Sequence, residues 1–552
     1  IHLQIMKPRL SISLVILVFI VLSGCQERRD SDVILYNGII YTVDKNFSVC
    51  EAVVIKDGIF VESGSTKELR SRYRADKKID LNGQVVYPGF YDAHCHFTAY
   101  SESLRKANLV GTSSFEDICE ILKEHHPEGS DEWILGHGWD QNDWNIKEYP
   151  DRSLLDELFP DQPVFLERID GHGAIANARA LELAGISADS FIEGGEIIVK
   201  DGRVTGILVD NAADLVADLI PVPGEQEKKE NLQRAEQNCF AVGLSTIVDA
   251  GLEKKEVDLI DMLQQTGELK IRVYAMLNPT QENIDNYVLK GFYKTDRLNI
   301  RSLKLYADGA LGSRGALLIE PYSDAREKQG LQVNTTEFLN QMCKLSSENN
   351  FQVATHCIGD SANRLMLSIY KDKLGGKNDR RWRIEHAQIV HPDDFILFGD
   401  YSIIPSIQTT HATSDMYWAA ERIGNRRIKS AYAYKQLLVQ NGWLPNGSDF
   451  PVENINPLFG FYAGFSRMDQ AGFPEQGWQM ENALNREESL KAMTIWAARS
   501  CFEENERGSI EDGKMADFVI LDQDIMTAES IDIPKIKVLE TWIAGEQVYR
   551  SK

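Results

Sequence analysis

From Val33 onward the chain alternates short apolar runs with tight-turn dipeptides: Val33 to Leu35, Asn37-Gly38, Ile39 to Val43, Ala52 to Ile55, Asp57-Gly58, Ile59 to Glu62. Asn-Gly and Asp-Gly tolerate the positive φ angles of two-residue turns, so these runs read as β-hairpins. The C-terminal end repeats the texture with Phe518 to Leu521, Thr541 to Ile543, Ala544-Gly545 and Gln547 to Tyr549. Two β-rich ends around a long middle predict one small β-sandwich domain drawn from both termini, residues 31–88 with 500–552.

The middle, 89–499, alternates β-branched runs with helical stretches, the pattern of an α/β chain closing into a (β/α)8 TIM-like barrel. Eight candidate strands are Val85 to Tyr87, Ser245 to Asp249, Lys270 to Met276, Ser302 to Tyr306, Gln352 to His356, Arg381 to His386, Ser402 to Ile407 and Trp443 to Ser448. The stretch from about 97 to 243 is too long for one strand-to-helix loop. It predicts an inserted subdomain over the barrel mouth.

Residues 1–25 stand apart from this pattern. Lys7 and Arg9 precede an apolar run from Leu10 to Leu22, and Leu22-Ser23-Gly24-Cys25 closes it. The run is shorter than the ~20 residues a spanning helix needs and has the layout of an export signal. Its end resembles a bacterial lipobox, which implies an exported protein lipidated at Cys25 and anchored to a membrane. Gln26 in place of aspartate favours the outer membrane or its periplasmic side. Seven cysteines remain without a CxxC pair, so the sequence shows no disulfide framework and no cysteine-zinc site.

Composition narrows the function classes. With 43% hydrophobic and 26% charged residues the chain is an ordinary globular one, and 83 acidic against 59 basic side chains leave no basic excess for nucleic-acid phosphates. A small molecule is the expected partner, and association into a homo-oligomer stays open. Gly508 to Lys514 has the spacing of a phosphate loop, but Met515 stands where Ser or Thr would hold magnesium and Glu511 and Asp512 would repel phosphate.

The chemistry lies at the strand ends. His94 and His96 are one residue apart, and on a strand such a pair projects to one side and can hold one metal ion. Alone, the pair reads equally well as two polar residues on a half-exposed strand. Further strands end near Lys304, His356, Glu385-His386 and Asp449. In a parallel barrel these ends open onto a single face, where catalytic groups collect.

The blocks VYPGFYDAHCHF, GHGAIANARAL, GLSTIVDAG, KLYADGALGSRGA, VATHCIGD, RIEHAQ, PSIQTTHATSD and NGSDFPV together resemble the amidohydrolase superfamily. Within it the chain is similar to the family 3 branch of N-substituted formamide deformylase-like proteins, over roughly residues 33–550. The resemblance implies His94, His96, Lys304, His356, His386 and Asp449 as metal ligands, with Lys304 carboxylated and bridging two ions. Imidazole and carboxylate ligands favour Zn2+, with manganese, iron and nickel as alternatives. A lysine paired with Asp308 or Asp449 is the competing reading of Lys304. The implied reaction is hydrolysis of a C–N bond other than a peptide bond, an amide or N-formyl amine, by hydroxide generated on the metal. Asp449 would shuttle the proton and His172 would polarise the carbonyl. Deamination, and cyclic-amide or ester hydrolysis, share the same site; a non-catalytic exported binding lipoprotein is the alternative of another class. Asp308 and Arg314 either contact substrate or brace their loop, His411 and Asp415 would line the pocket, and Trp139 would form an apolar lid or fill a core. Cys95 and Cys357 point away from the ligands beside them.

Overall fold

The structure, a computed structural model, describes residues 28–125, 133–221 and 224–552. The export-signal segment and Cys25 lie outside the described residues. Seven strands run parallel in chain order: Phe90–Cys95, Leu244–Leu252, Arg272–Leu277, Leu298–Tyr306, Gln352–Cys357, Arg383–His386 and Ile404–Ser406. Their near-continuous burial is what a sheet covered on both faces requires.

The eighth position is filled by extended backbone rather than by a regular strand. Gly447 N donates to Ile407 O (3.0 Å) on one side. Ala93 N donates to Asn446 O (3.2 Å) and Asp449 N to His94 O (2.8 Å) on the other. Pro445 has no N–H to give and Asp449 turns to φ 65°, so the expected strand Trp443 to Ser448 cannot form a full ladder. Gly447 is required by the closeness of this join, because a Cβ there would sit 2.3 Å from His94 N.

The first strand also departs from expectation. Val85–Pro88 belongs to the small sheets, pairing with Ile39–Tyr41 and Phe518–Leu521, and the barrel begins only at Phe90. The physical break is Gly89, where a Cβ would lie 2.4 Å from Ser245 Oγ, so the chain passes from one body to the other through glycine.

The termini build two sheets. One orders Ile59–Gly64, Ala52–Lys56, Arg29–Tyr36 and Tyr73–Asp80; the other orders Glu546–Arg550, Val538–Ile543, Phe518–Leu521, Val85–Pro88, Ile39–Tyr41 and Val49–Cys50. They share one apolar cluster, with Leu35, Val53 and Phe60 from the first against Ile40, Val86, Phe518 and Trp542 from the second. Asp57-Gly58 and Ala544-Gly545 make the expected hairpins. Asn37-Gly38 does not: it carries the chain from one sheet into the other. The loop around Gly513 pairs with the edge of the first sheet through Phe60.

After the first barrel strand the chain forms a separate six-stranded sheet spanning Ala107–Asn108 to Arg203–Asp210, with its own apolar clusters on either face. Trp139 is fully buried in one of them, its Nε1 donating to Leu166 O at 2.9 Å. The lid role is therefore corrected to a core role. Among the described residues no helix is long and apolar enough to cross a membrane, and the seven described cysteines are free thiols.

Candidate metal centre

Parallel strands place their C-terminal residues on one rim, and the rim of this barrel gathers the predicted set. The His94 and His96 rings stand 5.5 Å apart, His94 and His386 5.1 Å, and His356 and His386 4.5 Å. One ligand atom each from His94, His386 and Asp449 fall within 4.8 Å of one another. Asp449 Oδ1 lies 3.4 Å from Nε2 of both His94 and His96.

Each histidine has one ring nitrogen engaged by the protein, which fixes its tautomer and leaves the other nitrogen as a lone pair. His94 Nδ1 donates to Glu385 Oε2 (2.5 Å), His96 Nδ1 to Ala250 O (2.9 Å), His386 Nδ1 to Gln408 Oε1 (2.8 Å) and His356 Nε2 to Gly309 O (3.4 Å). Burial, reinforced by the Lys304 charge, pushes the His94 imidazole down to about 4. Burial and neighbouring imidazoles hold His356 and His386 well below the usual histidine range. These rings are neutral at pH 7, the form that coordinates a metal.

Lys304 is 1% exposed, with Nζ 3.1 Å from His94 Nε2, and among the described residues it forms no ion pair with Asp308, Asp449 or any other carboxylate. Burial lowers it to about 8, only partly opposed by Glu385 and Asp449. Burial pushes Asp449 up, but the His411 hydrogen bond outweighs it and holds the carboxyl well below its usual range. Its Oδ1 is buried without a hydrogen-bond partner. A buried anionic oxygen left unpaired among neutral imidazoles is what a divalent cation would satisfy, so the donor set fits a metal. His386 at φ 70° and Asp449 at φ 65° hold left-handed backbone, a strain of about 1–3 kcal/mol each that a site can demand.

Behind the ligands lies an ion pair that sequence reasoning passed over. Arg383 and Glu385, two apart on one strand and both fully buried, meet at 2.6 Å, and the arginine outweighs burial to keep Glu385 ionised. Two opposite charges at period two on a short strand ending in a candidate ligand were the available signal. Gln408 and Asp210 had none, because each reaches its histidine from elsewhere in the chain.

His172, from the insertion, places its ring 5.0 Å from that of His356. Burial disfavours its charge, but the hydrogen bond from Nδ1 to Asp210 Oδ1 (2.7 Å) prevails and raises it to about 9. His411 bonds Asp449 through Nε2 (3.2 Å) and Glu453 through Nδ1 (3.2 Å), which lift it to about 10 against burial. Asp308 is fully buried and accepts the N–H groups of Leu317, Ile358 and Gly359, so it braces loops. Arg314 is committed to Asp324 at 3.0 Å, and Asp415 to Tyr432 and Gln388. The contacts of Asp308 and Arg314 are those of the bracing reading, and Asp415 is held by its own hydrogen bonds. Cys95 and Cys357 are buried in the main core.

The amidohydrolase family matches residues 77–549. The chain is 33% identical to Protein LONG AFTER FAR-RED 3 of Arabidopsis thaliana over 94% of its own length and 92% of the relative's. It is 24% identical to the N-substituted formamide deformylase of Arthrobacter pascens, covering 93% and 97%. Its fold matches that of an uncharacterized metal-dependent hydrolase from Pyrococcus horikoshii with a TM-score of 0.73 and 27% identity, over 90% of this chain and 99% of that one. Rim histidines, a buried unpaired carboxylate and a match across most of the sequence converge: the chain belongs to the amidohydrolase family and is a metal-dependent hydrolase of carbon–nitrogen bonds.

Proposed function

We propose that this enzyme hydrolyses the amide or N-formyl bond of a small N-acyl amine. The observation that carries this reading is the Asp449 carboxylate and the Asp210-bonded His172 imidazole flanking one cluster of histidines. Asp449 is the proton shuttle and His172 the hydrogen-bond donor to the carbonyl oxygen. A divalent ion, when bound, acidifies a water toward neutrality and polarises the scissile carbonyl. Asp449 accepts the proton of the attacking water and delivers it to the departing nitrogen. His172, whose Nδ1 is committed to Asp210, offers its Nε2–H to the carbonyl oxygen as negative charge develops there.

His94, His96, Lys304, His356, His386 and Asp449 would hold two Zn2+ ions. Lys304 would supply an anionic ligand to them once its neutral amine has added CO2 and released a proton to become a carbamate. Its burial, its lowered basicity and its lack of an ion pair support that role. Export with a lipid on Cys25 is supported by Lys7, Arg9 and the apolar run; Cys25→Ser should move the protein from the membrane to the soluble fraction.

The test is turnover of N-formyl and N-acyl amines by zinc-loaded protein. Asp449→Asn should lower kcat by about 10²–10⁴-fold. Turnover surviving in that variant with metal still bound would overturn the proton role, and a wild type inert on the whole panel would overturn the substrate class.

A further inference from the structure

A cavity of about 290 Å³ opens beside the metal centre where the insertion meets the barrel rim. Asp143 comes from the insertion, Thr410 from the helix Thr409–Asp415 that follows the seventh strand, Glu453 from the turn after Asp449, and Tyr462 from the helix Pro457–Ser466. Met468 and Asp469 complete the wall. The volume is at the lower end of what small-molecule sites enclose.

The lining holds three carboxylates and neither lysine nor arginine. Asp469 is already engaged, accepting from Ala471 N, Phe473 N and the Tyr417 hydroxyl. Glu453 turns Oε1 to His411 and Ser414, while Oε2 takes no hydrogen bond among the described residues. Asp143 likewise has none on its carboxylate; of its cationic neighbours, Arg168 is committed to Asp140 and Asp170, and Lys147 forms no ion pair with it among the described residues. Thr410 is 5% exposed, and its Oγ1 is buried without a partner.

An anion would meet three carboxylates in this lining and no lysine or arginine. A purely apolar guest would leave the Thr410 hydroxyl and Glu453 Oε2 unpaired, a cost of about 1–3 kcal/mol for each group. A bare metal ion could use the carboxylates but would leave the aromatic and thioether walls without a guest. An alkylammonium satisfies all three features, because its N–H groups reach oxygen and its stem lies on the rings of Tyr462 and Tyr417. Tyr417 is itself stacked on Phe473 with ring centroids 5.7 Å apart.

We propose that this cavity binds an organic ammonium on an aryl or alkyl stem, either as an amine-bearing arm of the substrate or as the amine released by hydrolysis. The choice between those two sources rests on the C–N hydrolysis proposed above. The assignment of the cavity does not. Glu453 lies two hydrogen bonds from Asp449, through His411.

Calorimetry on zinc-loaded protein at pH 7 compares phenethylammonium with the neutral 2-phenylethanol. The ammonium should bind about tenfold more tightly or better, the scale of a charge-assisted hydrogen bond. The double variant Asp143→Asn, Thr410→Val should lose about tenfold for the ammonium only. Equal affinity for the alcohol, or an unchanged double variant, would overturn the proposal. In turnover assays, a rise in KM confined to ammonium-bearing N-formyl substrates identifies an arm. Relief of inhibition by the released amine, with neutral substrates, identifies the product. Binding without turnover of any N-acyl amine removes the proposed reaction and keeps the cavity; turnover without ammonium binding does the reverse.

Discussion

Glu385 shows how much of this site lies behind its ligands. It holds His94 through Nδ1 and is itself kept ionised by Arg383, so the tautomer of a metal ligand depends on a residue that touches no metal. Glu385→Gln keeps the size but removes the charge, and it should weaken zinc about 10–100-fold in competition against a chelator. Unchanged affinity would mean that His94 is oriented by packing alone. For Lys304, Lys304→Ala should purify with less than full metal, and bicarbonate should assist zinc uptake by metal-stripped wild type but not by the variant. Full occupancy in the alanine variant would remove the carbamate as a ligand. The candidate ligands His94, His356 and His386 were legible because histidine is rare, 11 in the chain, and each stands at the C-terminal end of a strand. The orienting partners were not, since Gln408 and Ala250 reach their histidines from the neighbouring strand, a pairing that only the folded sheet creates.

At the scale of elements, the alternating pattern located six barrel strands and missed the seam. Val85 to Tyr87 reads as a strand and is one, but nothing local tells which sheet it joins; the crossing at Gly89 is set by Ser245, more than a hundred residues away. The eighth strand fails for a reason visible in sequence, the Pro445 and Gly447 that interrupt its ladder, although its place in the barrel comes from closure. That seam makes Gly447 a sensitive position. Gly447→Ala drives a methyl into the His94 backbone, and relief requires the segment carrying Asp449 to move away from the strand carrying His94. The expected cost is about 1–3 kcal/mol in denaturant unfolding, as for other overpacked sites, together with loss of zinc. Loss of stability with full zinc would show that the seam and the ligand geometry are independent.

The two terminal sheets and the barrel are joined by a buried pair, Arg272 to Asp517. The guanidinium meets both carboxylate oxygens at 2.8 and 3.0 Å, and both residues are nearly inaccessible. Arg272 opens the third barrel strand, and Asp517 immediately precedes the strand Phe518–Leu521 and accepts Ala544 N. Burial alone would raise Asp517, but Arg272 outweighs it and holds the carboxyl below its ordinary range. A depressed carboxyl stabilises the fold fully above its unfolded value near ~4 and loses that contribution as pH falls through the folded value. Asp517→Asn leaves a buried arginine uncompensated and should cost about 3–5 kcal/mol at pH 7, with a smaller loss on acidification than wild type. The double variant Arg272→Met, Asp517→Leu should recover most of that stability, because an apolar pair avoids the desolvation that the ion pair must offset. If the double variant stays as weak as the single one, the pair acts through its directed contacts to Ala544 N and Asp296 O rather than through charge balance. In that case the terminal sheets should separate from the barrel as a distinct transition in unfolding, while zinc at the rim is retained.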